Sequence, residues 1–335
     1  MGDGVSRPRA FRFGVEMMGP FDGLTWAESA RELESLGYST LFVPDHLDEG
    51  YGPITAMATA AAATTTLRVA PAVLAADFRH PAVLARELAS IDQLSQGRLE
   101  VGIGAGYQVN DYVGAGLVMD PPGTRVDRMI EHVTVLRGLF ADGPFDFAGE
   151  HYQITALDGT PRPYRQGGPP ILVAGGGRRL LTFAAAHADI VGVNSSIPTS
   201  AQRSSSAPDA LPASIDQKLS WVREAAGDRF DEIEIHAWLR FAGITADAQS
   251  AAAGIASTFG AGPDEVLASP IVLIGSAGEV VERLHERRTA GATPTTRSSS
   301  RWPGSSPRCS PGWAADRRHR GRRRPALPKV RSRCR

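Results

Sequence analysis

The chain has 335 residues, 42% of them hydrophobic and 21% charged, a profile of a soluble globular protein with one large domain or two ordinary ones. The formal net charge of zero is split: Pro294 to Arg335 holds twelve Arg, one Lys and one Asp, so the remainder is as acidic as this end is basic. Length of apolar runs excludes a membrane helix, the N-terminus lacks a secretory core, and two C-terminal cysteines, Cys309 and Cys334, exclude a disulfide framework in the body, which makes the cytoplasm the expected home.

Residues 1–10 are expected to be disordered. Phe11 to Met17 reads as a short apolar strand. Thr25 then opens a helix through the capping box Thr25-x-x-Glu28, with Trp26, Ala30 and Leu33 on one face and Gly37 at its end. Thr40 to His46 is the second strand, Ile54 to Thr66 an alanine-rich helix, and Arg68 to Ala76 the third strand. Pro81 begins a helix that stops at Gly97. Leu99 to Gly106 is the fourth strand, Arg125 to Phe140 a helix, and the segment up to Pro170 is rich in loops. Ile171 to Gly175 and Asp189 to Asn194 are strands five and six, separated by a helical pattern from Leu180 to His187. The Ser/Pro/Ala-rich stretch Ser195 to Ala213 reads as a mobile loop. Ile215 to Ala226 is helical, Ile233 to Phe241 is strand seven, Ala246 to Phe259 is helical, and Ser276-x-x-Glu279 caps one more helix.

Seven strands alternating with helices imply a mainly parallel sheet covered by helices. A doubly wound sheet uses five or six strands, so seven regular units indicate instead an α/β TIM barrel, (β/α)8, with its eighth β/α unit missing or scrambled. The barrel domain is expected over 11–293. From Pro294 the pattern is lost, and 294–335 reads as a basic Arg/Ser/Pro-rich disordered tail, as a nucleic-acid arm, or as out-of-frame translation of a GC-rich gene. Loss of pattern inside an unfinished fold favours the last. Sparse aromatic residues and the lack of a recognition fold count against nucleic acid.

The chemistry gathers where strands end. Ile171 to Gly175 runs into Gly176, Gly177, Arg178 and Arg179 and then directly into a helix. Such a turn points bare N–H groups outward at the positive end of a helix dipole, glycine permits close approach and positive φ, and an adjacent arginine adds charge. This is a phosphate cradle in outline. Asp45 and His46 end strand two, and an imidazole there can serve hydride chemistry as a proton partner. A loop histidine with a purely structural bond competes evenly. His80 precedes Pro81 and is expected to cap its helix. Gly102-Ile103-Gly104-Ala105-Gly106 has the wrong spacing for a dinucleotide fingerprint. Asp111 and Asp127 are expected to be surface or cap residues, and no cluster has metal-ligand spacing.

Phe11–Val15, Gly37-Tyr38, Val43-Pro44-Asp45-His46, Asp77–Pro81, Leu94–Tyr107, Gly175–Arg178 and Leu273–Ser276 follow one another along the chain. In this order and spacing they resemble the luciferase-like monooxygenase superfamily, particularly its F420-dependent oxidoreductases. The resemblance implies a TIM barrel and an oxidoreductase moving hydride between coenzyme F420 and a small organic substrate. An FMN-dependent monooxygenase on the same barrel is the alternative, and an inactive cofactor-binding barrel is the second. His46 would be catalytic, close to the cofactor ring. The cofactor would meet Asp45, Leu74 and Ala75 at a strand bulge often carrying a non-proline cis peptide, then Gly106 and Tyr107, with Asn110 bordering ring or substrate. Gly175, Gly176, Gly177 and Arg178 would hold its phosphate, and Asn194 would donate a hydrogen bond. The partners implied are a small-molecule substrate, with no nucleic acid and no membrane, and a homodimer as family members commonly form.

Overall fold

The computed structural model describes residues 10–196, 203–289 and 294–298. In chain order these form β1 (Phe13–Glu16), α1 (Trp26–Ser35), β2 (Thr40–Val43), α2 (Pro53–Ala63), β3 (Arg68–Pro71), β4 (Leu74–Ala75), α3 (Pro81–Leu94), β5 (Val101–Gly104), α4 (Val109–Ala115) and α5 (Pro122–Phe140). A hairpin of β6 (Pro144–Ala148) and β7 (Gln153–Asp158) follows. Next come β8 (Ile171–Gly175), α6 (Arg178–His187), β9 (Ile190–Val193), α7 (Pro212–Ala226), β10 (Glu234–Leu239), β11 (Phe241–Ile244), α8 (Ala248–Phe259), α9 (Pro263–Ala268), β12 (Val272–Gly275), α10 (Ala277–Thr289) and β13 (Pro294–Ser298).

The main sheet runs β3-β2-β1-β13-β10-β9-β8-β5-β4. The two ends of that order, β3 and β4, are one strand interrupted at Ala72-Val73, and Val69 also bridges to Leu99 in parallel. Eight parallel staves therefore close on themselves. The eighth strand corrects the expectation of a missing stave: Pro294–Ser298 lies between β10 and β1, with Thr296 opposite both Phe13 and Ala237. Without it, two inner strands would each leave a ladder of N–H and C=O groups unpaired. Backbone pairing of this kind makes few demands on side chains. The barrel thus reaches beyond residue 293, and the first compact unit of the chain ends at Ser300. Residues 1–9 of the expected disordered N-terminus (1–10) and residues 299–335 of the expected tail lie outside the described residues.

Local signals behave as the sequence dictates. The Thr25 hydroxyl accepts from Glu28 N–H while Glu28 Oε2 accepts from Thr25 N–H, and Gly37 takes φ +81° after α1. His80 caps α3, its Nδ1 accepting from Ala82 N–H at 3.3 Å. Ser276 and Glu279 exchange the same reciprocal bonds at α10. Staves β2, β5 and β9 are buried along their whole length, as strands covered on both faces must be. At the barrel floor Arg12 stitches β1 to Glu100 (2.6 Å) and to Glu234 of β10 (2.7 Å) across the inserted β13.

Three elements differ from expectation. The loop-rich segment before Pro170 contains the β6–β7 hairpin, stabilised by Phe145 and Phe147 packing on α5. Within the expected mobile loop, Arg203–Ala210 form a 3-10 helix and α7 already starts at Pro212, while 197–202 lie outside the described residues. Finally, β11 and β12 pair in parallel as a separate two-stranded sheet over a second small core containing Phe259, Val266 and Val272.

Candidate functional site

A cavity of about 440 Å³ opens at the C-terminal ends of the staves, where barrels of this architecture assemble their chemistry. Of the residues expected there, Asp45, His46, Ala75, Gly106, Tyr107, Gly175, Gly176, Gly177 and Asn194 line it. Leu74 does not: it is fully buried in the core, and Ala72 and Val73, joined by the cis peptide bond, face the cavity in its place. Arg178 does not either. Its side chain is 65% exposed, lies 3.7 Å from Glu224 and rests over Trp221. The next residue, Arg179, faces the cavity and pairs with Asp127. One step along a helix turns a side chain by about 100°, which single-residue motif matching does not resolve. Asn110 is exposed on α4 and lies off the cavity wall.

His46 extends from the end of β2 between two partners. Its Nδ1 lies 2.9 Å from Asp111 Oδ2, and its Nε2 lies 3.3 Å from the Tyr107 hydroxyl. Asp111 corrects the expectation of a surface residue: its side chain is 2% exposed, and its Oδ1 accepts the Leu47 N–H at 3.0 Å. A carboxylate so placed accepts only, so the neutral imidazole carries its proton on Nδ1. Helix α4 is fixed in turn by Tyr112, which donates to Asp77 at 2.7 Å. Arg128 holds the other oxygen of Asp77 at 2.7 Å. Burial, with Asp77 adding to it, pushes the Tyr112 phenol well above its usual range, so it remains a donor.

Asp45 lines the cavity but is spoken for. Arg79 grips both its oxygens at 2.7 and 2.9 Å, and Oδ2 also accepts the Ala75 N–H at 3.1 Å. It fastens the interrupted stave to the end of β2 on the cavity wall. The glycines of β5 have a related purpose. A Cβ on Gly102 would lie 2.4 Å from the Pro71 carbonyl oxygen, and one on Gly104 would lie 2.6 Å from Val73. They make room for the interrupted stave rather than for a ligand.

None of Gly175, Gly176 and Gly177 adopts positive φ, and of the three it is Gly176 that close approach of main chain requires. A Cβ on Gly176 would sit 2.3 Å from Ser196 N and 2.7 Å from the Asn194 carbonyl oxygen, while Gly177 faces open space. The 194–196 segment is anchored from behind by Lys218, whose buried ammonium donates to the Asn194 carbonyl (3.1 Å) and to Asp209 (2.6 Å). Burial pulls that ammonium below its usual value and the Asp209 carboxylate opposes the shift. The first turn of α6, whose N–H groups have no acceptor within the helix, begins beside Gly176 and Gly177 on the cavity wall.

Sequence reasoning missed Arg125. This residue, in the first turn of α5, is 4% exposed and lies on the cavity wall. It donates to the main-chain carbonyls of Asp120 at 2.9 Å, Ala105 at 3.3 Å, and Gly106, and its charge also acts on the Tyr112 hydroxyl. The nearby carboxylates of Asp77 and Asp120 are taken by Arg128. A cation held by dipoles beside a helix N-terminus suits an anion, and a phosphate supplies the matching geometry. His236, Trp238 and Arg240, on alternate positions of β10 and just beyond it, complete the far wall with Glu16. Their period of two is the sequence signal that could have revealed them.

A sequence model of the luciferase-like monooxygenase family matches residues 22–210, more than half of the chain. An uncharacterized protein of Mycobacterium tuberculosis (strain ATCC 25618 / H37Rv) is 28% identical over 200 residues, covering 53% of this chain and 70% of its own length. A pyrimidine monooxygenase of Acinetobacter baylyi is 33% identical over 172 residues, or 44% of its length. An F420-dependent glucose-6-phosphate dehydrogenase of Amycolatopsis mediterranei is 28% identical over 184 residues, or 55% of its length. Among solved structures, the coenzyme F420-dependent tetrahydromethanopterin reductase of Methanopyrus kandleri superposes with a TM-score of 0.68 at 18% identity, over 86% of this chain and 92% of that one. At this identity the likeness speaks for the fold.

Proposed function

The chain belongs to the luciferase-like monooxygenase family, and on that premise we propose that it is an oxidoreductase moving hydride between coenzyme F420 and a small organic substrate. The observation that carries this reading is that one cavity holds both an anion cradle and a carboxylate-oriented imidazole. The α6 N-terminus with Gly176, together with Arg125, would bind the cofactor phosphate. Ala72, Val73 and Ala75 would support one face of its ring. When bound, the deazaflavin supplies or accepts the hydride. His46, held as the Nδ1–H tautomer by Asp111, would hold or release the accompanying proton at Nε2.

The same cradle suits FMN, whose chain also bears a phosphate, and the pyrimidine monooxygenases among the relatives favour that second reading. Titrating the full chain with F420 and with FMN, followed by fluorescence, separates them. Binding of F420 supports the first reading. Tight FMN binding with no response to F420 defeats it.

A further inference from the structure

The Arg179 guanidinium stands on the cavity wall, yet a carboxylate already engages it. Its Nη1 donates to Asp127 Oδ2 at 3.3 Å and its Nη2 to Asp127 Oδ1, so the fork meets both oxygens and ties the start of α6 to α5. From this we infer that Asp127 sets the charge of the phosphate the cavity accepts: by neutralising Arg179 it favours a singly charged phosphodiester over a doubly charged phosphomonoester. The inference rests on the proposed cofactor site and adds the residue that selects between its two candidates, since F420 carries its phosphate as a diester and FMN as a monoester.

Charge at this end of the cavity is balanced. Arg125, Arg128 and Arg179 stand against Asp77, Asp120 and Asp127, each carboxylate held by Arg128 or Arg179. Just outside, Lys218 is offset by Asp209 and Arg178 by Glu224. What draws an anion is the Arg125 guanidinium, bonded to main-chain carbonyls, together with the starts of α5 and α6, neither of which has a side-chain cap. A helix start acts as about half a positive charge. Such a field suits a single negative charge. A monoester brings about 1.5 to 2 charges at neutral pH, and all of that charge is repelled by the Asp127 carboxylate behind Arg179.

A diester also needs room for its second ester chain. Gly176 is closed in by main chain at Ser196 and Asn194, but Gly177 is exposed, and a Cβ there would meet no atom of the described residues within 4 Å. Arg178, next in the chain, is itself 65% exposed. A chain continuing beyond the phosphate therefore has open surface past Gly177, an exit that a monoester does not need.

Three ligands sharing one ring test this on the full chain: riboflavin, FMN, and FMN with its phosphate methylated, which carry no, two and one charges at about pH 8. Where the parent binds only the deazaflavin ring, the same three derivatives of that ring take their place. Affinities are read by fluorescence titration, beside F420 itself. The parent should bind the methyl ester at least as tightly as the monoester. Asp127→Asn should shift the ratio towards the monoester by about threefold, the scale of one partly exposed ion pair. Asp127→Lys reverses the charge and should shift it by about tenfold, and added salt should shrink both shifts. The uncharged ligand should not respond, and melting temperatures should stay close to the parent's, because an exposed pair adds little stability. A parent that binds the monoester more tightly than its methyl ester, or a ratio that neither variant moves, overturns the role of Asp127. If F420 binds in that case, the proposed function still stands. Binding of neither F420 nor FMN removes that function and the selection together.

Discussion

Replacing Arg125 by Met keeps most of the buried stem and removes the charge. In the protein alone the cost is the loss of donors to the carbonyls of Asp120, Ala105 and Gly106, about 1–3 kcal/mol for buried acceptors left without partners. In the complex the cost is larger if a phosphate faces the guanidinium. Two unit charges about 4 Å apart at an effective dielectric near 20 attract by about 4 kcal/mol, and hydrogen bonds to charged groups contribute about 1.5–3 kcal/mol net. A loss of about 2–3 kcal/mol corresponds to about 30- to 150-fold in Kd. Riboflavin, which is FMN without its phosphate, completes a thermodynamic cycle. Arg125→Met should weaken FMN by that factor and riboflavin by no more than about threefold, read by fluorescence titration well below the melting temperature. The same cycle applies to F420 against the deazaflavin lacking its phosphate. Equal weakening of the phosphorylated and unphosphorylated ligands would refute the assignment of Arg125 to the phosphate, because a general loss of structure does not distinguish them.

Other expectations follow from individual contacts. Gly176→Ala pushes a methyl group into the main chain at Ser196 and Asn194, so it should lower stability by about 1–3 kcal/mol. Gly175→Ala meets only the flexible end of Leu180 and should cost less in a thermal melt; equal losses would remove the close-approach argument. Asp45→Asn takes the charge from a carboxylate that Arg79 grips with both nitrogens, and should destabilise by about 2–4 kcal/mol in denaturant titration. Glu34 accepts the N–H groups of Thr65, Thr66 and Leu67. Although burial opposes it, these bonds lower its pKa to about 2. Its folded value is depressed, so its contribution is present above about pH 4.5 and lost as the pH falls towards 2. The stability gap between the parent and Glu34→Gln should therefore close over that window. His132 behaves differently, since burial, with neighbouring His80 adding to it, holds its pKa at about 3. The unfolded chain takes up this proton near pH 6.5 and the folded one only near 3, so acidification between those values costs stability. His132→Phe should flatten that part of the pH–stability curve.

Much of the barrel was legible because its signals are local. The capping boxes at Thr25 and Ser276, the proline at Pro81 and the alternation of apolar strands with helices depend on spacing along the chain alone. The eighth stave was not legible, because Pro294–Ser298 has little apolar pattern, and its place is decided by the unpaired edges of β1 and β10 that it satisfies.

The site divides in the same way. From its own residues the chain announces a glycine turn leading into a helix, and a histidine ending a strand, since both are short-range arrangements that one segment specifies. Only the folded barrel decided that Asp111, 65 residues from His46, orients its ring, that Arg179 and not Arg178 faces inward, and that Arg125 lies buried on the same wall. Those are matters of distance and direction between segments remote in sequence, and closure of the parallel staves is what brings them to one cavity.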